Sequence, residues 1–222
     1  MAKLRVGVLL SGCGVYDGAE VHESVITLLA LDRAGAEIVC MAPSADQLHV
    51  IDHRTGDVAP ERRNVLVEAA RIARGAIADV DEVDASALDA LVIPGGFGAA
   101  KNLCDFALKG PDCTVHPGVA RVVRAVHAAR KPVGAICIAP TLVARLLGTE
   151  TPTVTIGNDA ATAAAIEKMG ARHRNCAVDG TVVDAEHLLV TTPAYMLAKS
   201  IAEAASGIEK LVGEVLSMAA RS

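Results

Sequence analysis

The stretch PVGAICIAPTLVARLL, residues 132–147, decides the fold. Its opening residues are apolar or small without alternation, which suits a strand covered on both faces. Gly134, Ala135 and Ala139 leave room for a sharp turn at Cys137, and Pro140 falls in the first turn of a helix, where proline is tolerated. Outward from this unit the same grammar repeats. Residues 90–93 form an apolar strand that breaks into Pro94-Gly95-Gly96, and Pro117 opens a helix to residue 129. The pattern predicts further strands at 4–10, 36–42, 153–156 and 188–191, and helices at 19–34, 62–74, 137–147, 159–169 and 194–218. Asp17 is the expected cap of the first helix and Gly35 its stop. A short helix near Ala85 and a hairpin around Thr55-Gly56-Asp57 complete the reading. Strands alternating with helices imply an α/β fold, a single domain over residues 1–222 whose mostly parallel sheet carries helices on both faces. Sites in such sheets lie beyond the carboxyl ends of the strands.

The chain has 222 residues, of which 52% are hydrophobic and 21% charged, so a substantial core is available. Aromatic residues make up 2% and the net charge is −5, which removes the stacking platforms and basic patch that nucleic acid requires. Mean hydropathy is +0.39, yet the longest uncharged run, residues 132–144, falls short of the ~20 needed to span a bilayer. The N-terminal apolar run, residues 6–10, is below the roughly 7–15 of a signal peptide. These features predict a cytoplasmic protein with neither nucleic acid nor membrane as partner.

The loop Gly12-Cys13-Gly14-Val15-Tyr16-Asp17-Gly18 is not a dinucleotide fingerprint, because Asp17 stands where a third glycine belongs. His49 and His53 read as strand residues, roughly 13 Å apart and unable to share a metal. No cofactor and no metal are expected. The six cysteines lie far apart, without a Cys-x-x-Cys, and read as reduced, small, mostly buried hydrophobes.

Cys137 differs in its context. A strand delivers it to a helix N-terminus, the arrangement of a nucleophile elbow with sulfur in place of a hydroxyl, and the helix dipole is expected to lower its pKa. Gly95 and Gly96 end a neighbouring strand and let backbone N–H groups approach a ligand. The Gly96 N–H with the Ile138 N–H makes a candidate oxyanion hole. On the first helix, Val21, Val25, Ile26, Leu28, Leu29 and Ala30 form an apolar arc expected to face the core, with His22 turned into it. Glu23 lies on the rim, where it can turn inward partly desolvated, while Glu20 and Ser24 are expected in water.

Together these residues resemble the superfamily of the Parkinson-associated deglycase and the PfpI proteases, which share the class I glutamine amidotransferase-like, flavodoxin-like fold. The runs Ser11-Gly-Cys-Gly-Val-Tyr-Asp-Gly18, Pro94-Gly-Gly-Phe-Gly-Ala-Ala-Lys-Asn102, Cys137-Ile-Ala-Pro140 and Thr191-Thr-Pro-Ala-Tyr-Met-Leu-Ala198 resemble its ElbB subgroup. The resemblance implies that Cys137 is the elbow cysteine, Glu23 its carboxylate partner, and Gly96 and Ile138 the oxyanion donors. It also implies cofactor-free conversion of glyoxal to glycolate and a homodimer. Amidotransferases carry His-Pro-Glu where this chain reads Thr192-Pro193-Ala194, so glutamine hydrolysis lacks its base. PfpI-type members place histidine after the elbow cysteine, where Ile138 stands.

The expected chemistry is addition of Cys137 to one aldehyde of a small dicarbonyl, with Glu23 shuttling a proton through an enediol before water releases the 2-hydroxy acid. The alternatives are protein deglycation, or a redox-sensing protein whose Cys137 oxidises without turnover.

Overall fold

The computed structural model describes residues 3–221. In chain order its elements are β1 (Arg5–Leu9), α1 (Val21–Arg33), β2 (Glu37–Ala42), α2 (Val65–Ile72), β3 (Ile77–Asp79), β4 (Ala90–Ile93), α3 (Phe97–Lys101), α4 (Phe106–Lys109), α5 (Pro117–Ala128), β5 (Val133–Ile136), α6 (Pro140–Leu147), β6 (Thr153–Val154), α7 (Ala160–Lys168), β7 (Arg172–His173), β8 (Val182–Asp184), β9 (Leu189–Thr192) and α8 (Ile201–Ala219). Seven strands form one sheet in the order β3-β2-β1-β4-β5-β9-β8. Every pairing in it is parallel except β8 with β9. The α/β single-domain reading therefore holds, including the mostly parallel sheet.

Strand periodicity sorts the core into two layers. Leu91 and Ile93 of β4 and Val133 and Ala135 of β5 pack on one face with α5, α6 and α7. Ala90 and Val92, with Val190 of β9, pack on the other face with α1, α2 and α8. Gly134 lies on this second face because a Cβ there would come within 2.8 Å of Leu211 and 3.1 Å of Val215. Apolar burial on both faces of every central strand is what holds the layers together.

Sheet order reverses between β1 and β4, since the chain builds outward to β3 on one side and to β5 on the other. That topological switch point is where such sheets bind ligands. It gathers the start of α1, the turn after β4 and the turn after β5.

Three parts of the sequence reading are corrected here. The last helix begins at Ile201 and is preceded by a separate 3-10 turn at Ala194–Met196. The cap of α1 is Glu20, whose side chain accepts from the Glu23 N–H, while Asp17 Oδ2 instead accepts from the Ile51 N–H at 2.7 Å. The apolar arc of α1 is also turned. Val21, Val25 and Leu29 are exposed, whereas Glu20, Glu23, Ser24 and Thr27 are buried. Ser24 and Thr27 donate their hydroxyls to the carbonyls of Glu20 and Glu23, four residues back, each at 2.7 Å. With their polarity satisfied inside the helix, they can be buried like apolar residues.

Candidate active site

Cys137 sits at the carboxyl end of β5 with φ +61°, a left-handed conformation that a cysteine adopts at a cost. The strain is held by packing and by the bond from its N–H to the Thr192 carbonyl of β9 at 2.9 Å. α6 begins three residues later at Pro140, so the expected elbow is present. Cys137 itself is buried, 8% exposed.

Glu23 is fully buried at the start of α1. Its Oε2 accepts from the Gly95 N–H at 2.9 Å and its Oε1 from the Tyr195 N–H at 3.2 Å. Its carboxyl also shares a hydrogen bond with the Cys137 thiol. Gly95 is obligatory between them: a Cβ there would lie 2.5 Å from the Cys137 Cβ and 2.7 Å from Glu23 Oε2. Gly96, at φ +92°, would place a Cβ 2.3 Å from the Glu20 nitrogen, and only glycine combines that angle with that approach.

The N–H groups of Gly96 and Ile138 both donate to the Cys137 sulfur. The five residues singled out from the sequence thus converge, with one change of part. The Gly95 N–H is spent on Glu23, so it orients the carboxyl and is not available to a substrate oxygen.

Burial pushes the Glu23 carboxyl from its ordinary 4.5 up to about 8; the charge of Glu20 adds to the rise, and the Tyr195 and Gly95 N–H groups oppose it. Glu23 therefore carries a proton at neutral pH. The expectation of a lowered Cys137 pKa is overturned. Burial and the Glu23 charge drive the thiol well above its ordinary value, and the two amides only oppose that rise. The helix N-terminus loses to desolvation because the sulfur is inside the protein. Cys137 and Glu23 titrate as a pair. Once Glu23 is protonated it no longer repels a thiolate, and its O–H can donate to the sulfur.

Three neighbours of the site differ from the sequence reading or add to it. His22 does not turn into the core: it is exposed, and its Nδ1 lies 2.8 Å from the Tyr195 hydroxyl. The backbone of Tyr195 holds Glu23, a role its place in the run Thr191–Ala198 does not reveal. Tyr195 stands 172 residues from Glu23, and no local pattern connects the two. Glu20, expected in water, caps α1 at 2.7 Å beneath the site.

The sequence matches the DJ-1/PfpI family over residues 13–203. This chain belongs to that family. The ES1 protein homolog, mitochondrial, of Rattus norvegicus is 44% identical to this DJ-1/PfpI member over 227 aligned positions, covering 97% of this chain and 84% of that protein. Glutamine amidotransferase-like class 1 domain-containing protein 3, mitochondrial, of Homo sapiens is 46% identical, covering 96% of this chain and 83% of its own length. Among solved structures, an isoprenoid biosynthesis protein with amidotransferase-like domain from Ehrlichia chaffeensis superimposes with a TM-score of 0.89 at 36% identity, covering 96% of this chain and 99% of that one. The ElbB-type resemblance and the class I amidotransferase-like fold thus hold. The cytoplasmic placement does not, because these relatives are named as mitochondrial proteins.

Proposed function

We propose that this DJ-1/PfpI member is a cofactor-independent glyoxalase that converts glyoxal, or a similarly small dicarbonyl, to the 2-hydroxy acid. One observation carries the reading: a strained cysteine receives two backbone N–H groups and shares a hydrogen bond with a buried carboxyl whose pKa is about 8. A carboxyl poised near operating pH can take and return a proton in one cycle.

The pair reacts in its singly protonated form, the Cys137 thiolate beside the Glu23 acid, and the sulfur adds to one carbonyl carbon of glyoxal, forming the C–S bond of a hemithioacetal. The N–H groups of Gly96 and Ile138, already aimed at the sulfur, are near enough to receive the oxyanion that develops beside it. The Glu23 carboxylate, formed as its proton passes to that oxygen, removes hydrogen from the same carbon. The resulting enediol takes the proton back at the adjacent carbon, giving a glycolyl thioester. Water cleaves the C–S bond, releases glycolate and restores the thiol. No net oxidation occurs, because one carbon is reduced as the other is oxidised. The burial of Cys137 favours a substrate of two or three carbons. The exposed Val21, Val25 and Leu29 of α1 offer an apolar seam for a homodimer.

The test is formation of glycolate from glyoxal by the purified protein, followed by NMR, alongside Cys137→Ala. Turnover proportional to wild-type protein and absent from the variant supports the reading. Glycolate formed equally by both, or by neither, overturns it.

A further inference from the structure

A second pair of sulfurs lies outside this site. Cys104 and Cys113 are both buried, and their side chains share a hydrogen bond. Backbone pairing flanks the α4 segment between them: Cys104 bridges Val115 in antiparallel fashion, the Asp105 N–H donates to the Thr114 carbonyl at 3.1 Å, and the His116 N–H donates to the Leu103 carbonyl at 2.9 Å. The backbone therefore fixes the two residues as neighbours.

The two sulfurs are unequal. Cys104 Sγ lies 3.2 Å from the Ala99 carbonyl, to which it donates. Cys113 borders a cavity of about 360 Å³ whose wall includes Arg124 and Arg145, and Arg145 Nε donates to the Cys113 carbonyl at 2.6 Å. The contact with Cys104 holds the Cys113 thiol below its ordinary value against burial, and the Arg145 charge assists. Cys113, on the cavity wall with Arg124 and Arg145, is thus the sulfur suited to attack and Cys104 the one suited to resolve.

We propose that Cys104 and Cys113 form a peroxide-oxidisable dithiol, a modification site separate from Cys137. The Cys113 thiolate attacks one oxygen of hydrogen peroxide and the O–O bond breaks. Hydroxide leaves beside the arginines and takes up a proton, so that Cys113 becomes a sulfenic acid and one water is formed. The Cys104 sulfur then attacks the Cys113 sulfur, the S–O bond breaks, and the Cys104 proton leaves with the hydroxyl as a second water. Two thiols lose two electrons and two protons, and one peroxide becomes two waters.

The sequence makes the product easy to see. Trypsin cuts after Lys101, Lys109 and Arg121, placing Cys104 on the peptide 102–109 and Cys113 on the peptide 110–121. Reduced protein is treated with hydrogen peroxide, its remaining thiols are alkylated, and the digest is weighed with and without reductant. The expected result is one species two hydrogens lighter than the sum of those peptides, lost on reduction. Recovery of the two peptides separately, each alkylated or each carrying sulfinic or sulfonic acid, overturns the proposal. In Cys104→Ser, sulfenic acid on Cys113 should persist and be trapped by dimedone several-fold more than in wild type. Equal trapping in both proteins also overturns it.

Discussion

Cys40 and Cys137 belong to the same apolar cluster, Cys40 buried in the carboxyl half of β2 and Cys137 just past the end of β5, and each has its pKa raised by burial. For Cys40 burial is the whole account, and it takes the thiol to about 11. For Cys137 burial is joined by the Glu23 carboxyl, by two N–H donors and by a left-handed backbone. Burial alone does not separate a packing cysteine from a reacting one. The difference lies in polar groups placed around the sulfur and in backbone strain that packing alone would not require.

The sharpest way to break this comparison is to delete both sulfurs in turn. Cys137→Ala is expected to lower glyoxal turnover by at least about 10³-fold, because the covalent step is lost. Cys40→Ala should leave it within about twofold and show its effect in melting temperature. Comparable rate losses for the two variants would erase the distinction.

Glu23→Gln comes next, with a loss of roughly 10²–10⁴-fold in turnover if the carboxyl moves the proton. The substitution is not structurally silent. Both carboxyl oxygens accept backbone N–H groups, and an amide can satisfy only one of them, at a cost of about 1–3 kcal/mol. The pH dependence has a definite sign. Glu23 titrates near 8 in the folded protein and near 4.5 when unfolded, so the folded state binds the proton more tightly. The stabilisation is fully present below the unfolded value and is lost as pH rises through about 8. Thermal melts from pH 5 to 9 should therefore fall more steeply for wild type than for Glu23→Gln, and parallel curves would contradict the buried, protonated carboxyl.

A smaller effect is expected from Glu20→Gln. The amide oxygen keeps the cap on the Glu23 N–H, but removing the charge takes away one contribution that raises Glu23. The pH–rate profile should shift to lower pH with the maximum rate within about twofold of wild type. An unchanged profile would show that Glu20 does not act on its neighbour.

The same residues show what was legible in the sequence. The glycine turn after β4 and the elbow after β5 were readable because small residues after an apolar run leave few alternatives for the backbone. The two- and three-residue strands at β3, β7 and β8 were not anticipated, since so short a run carries no alternation to read. Helix α1 was turned the wrong way because its hydroxyls hide their polarity in the preceding turn. The hydrophobic pattern therefore placed Val21, Val25 and Leu29 in the core. Glu23 was found at the rim of that same pattern, while the Tyr195 N–H that holds it is joined to it only by the tertiary fold.

The proton's path is the most direct test of the central claim that Glu23 and Cys137 act together. Glyoxal is turned over by the wild-type protein in deuterium oxide, and the methylene group of the glycolate is examined by NMR. A shuttle through Glu23 and an enediol expects one solvent deuterium on that carbon, because the proton on the carboxyl exchanges with solvent. Glycolate carrying only its original hydrogens would mean a direct hydride shift between the two carbons, and would contradict the account.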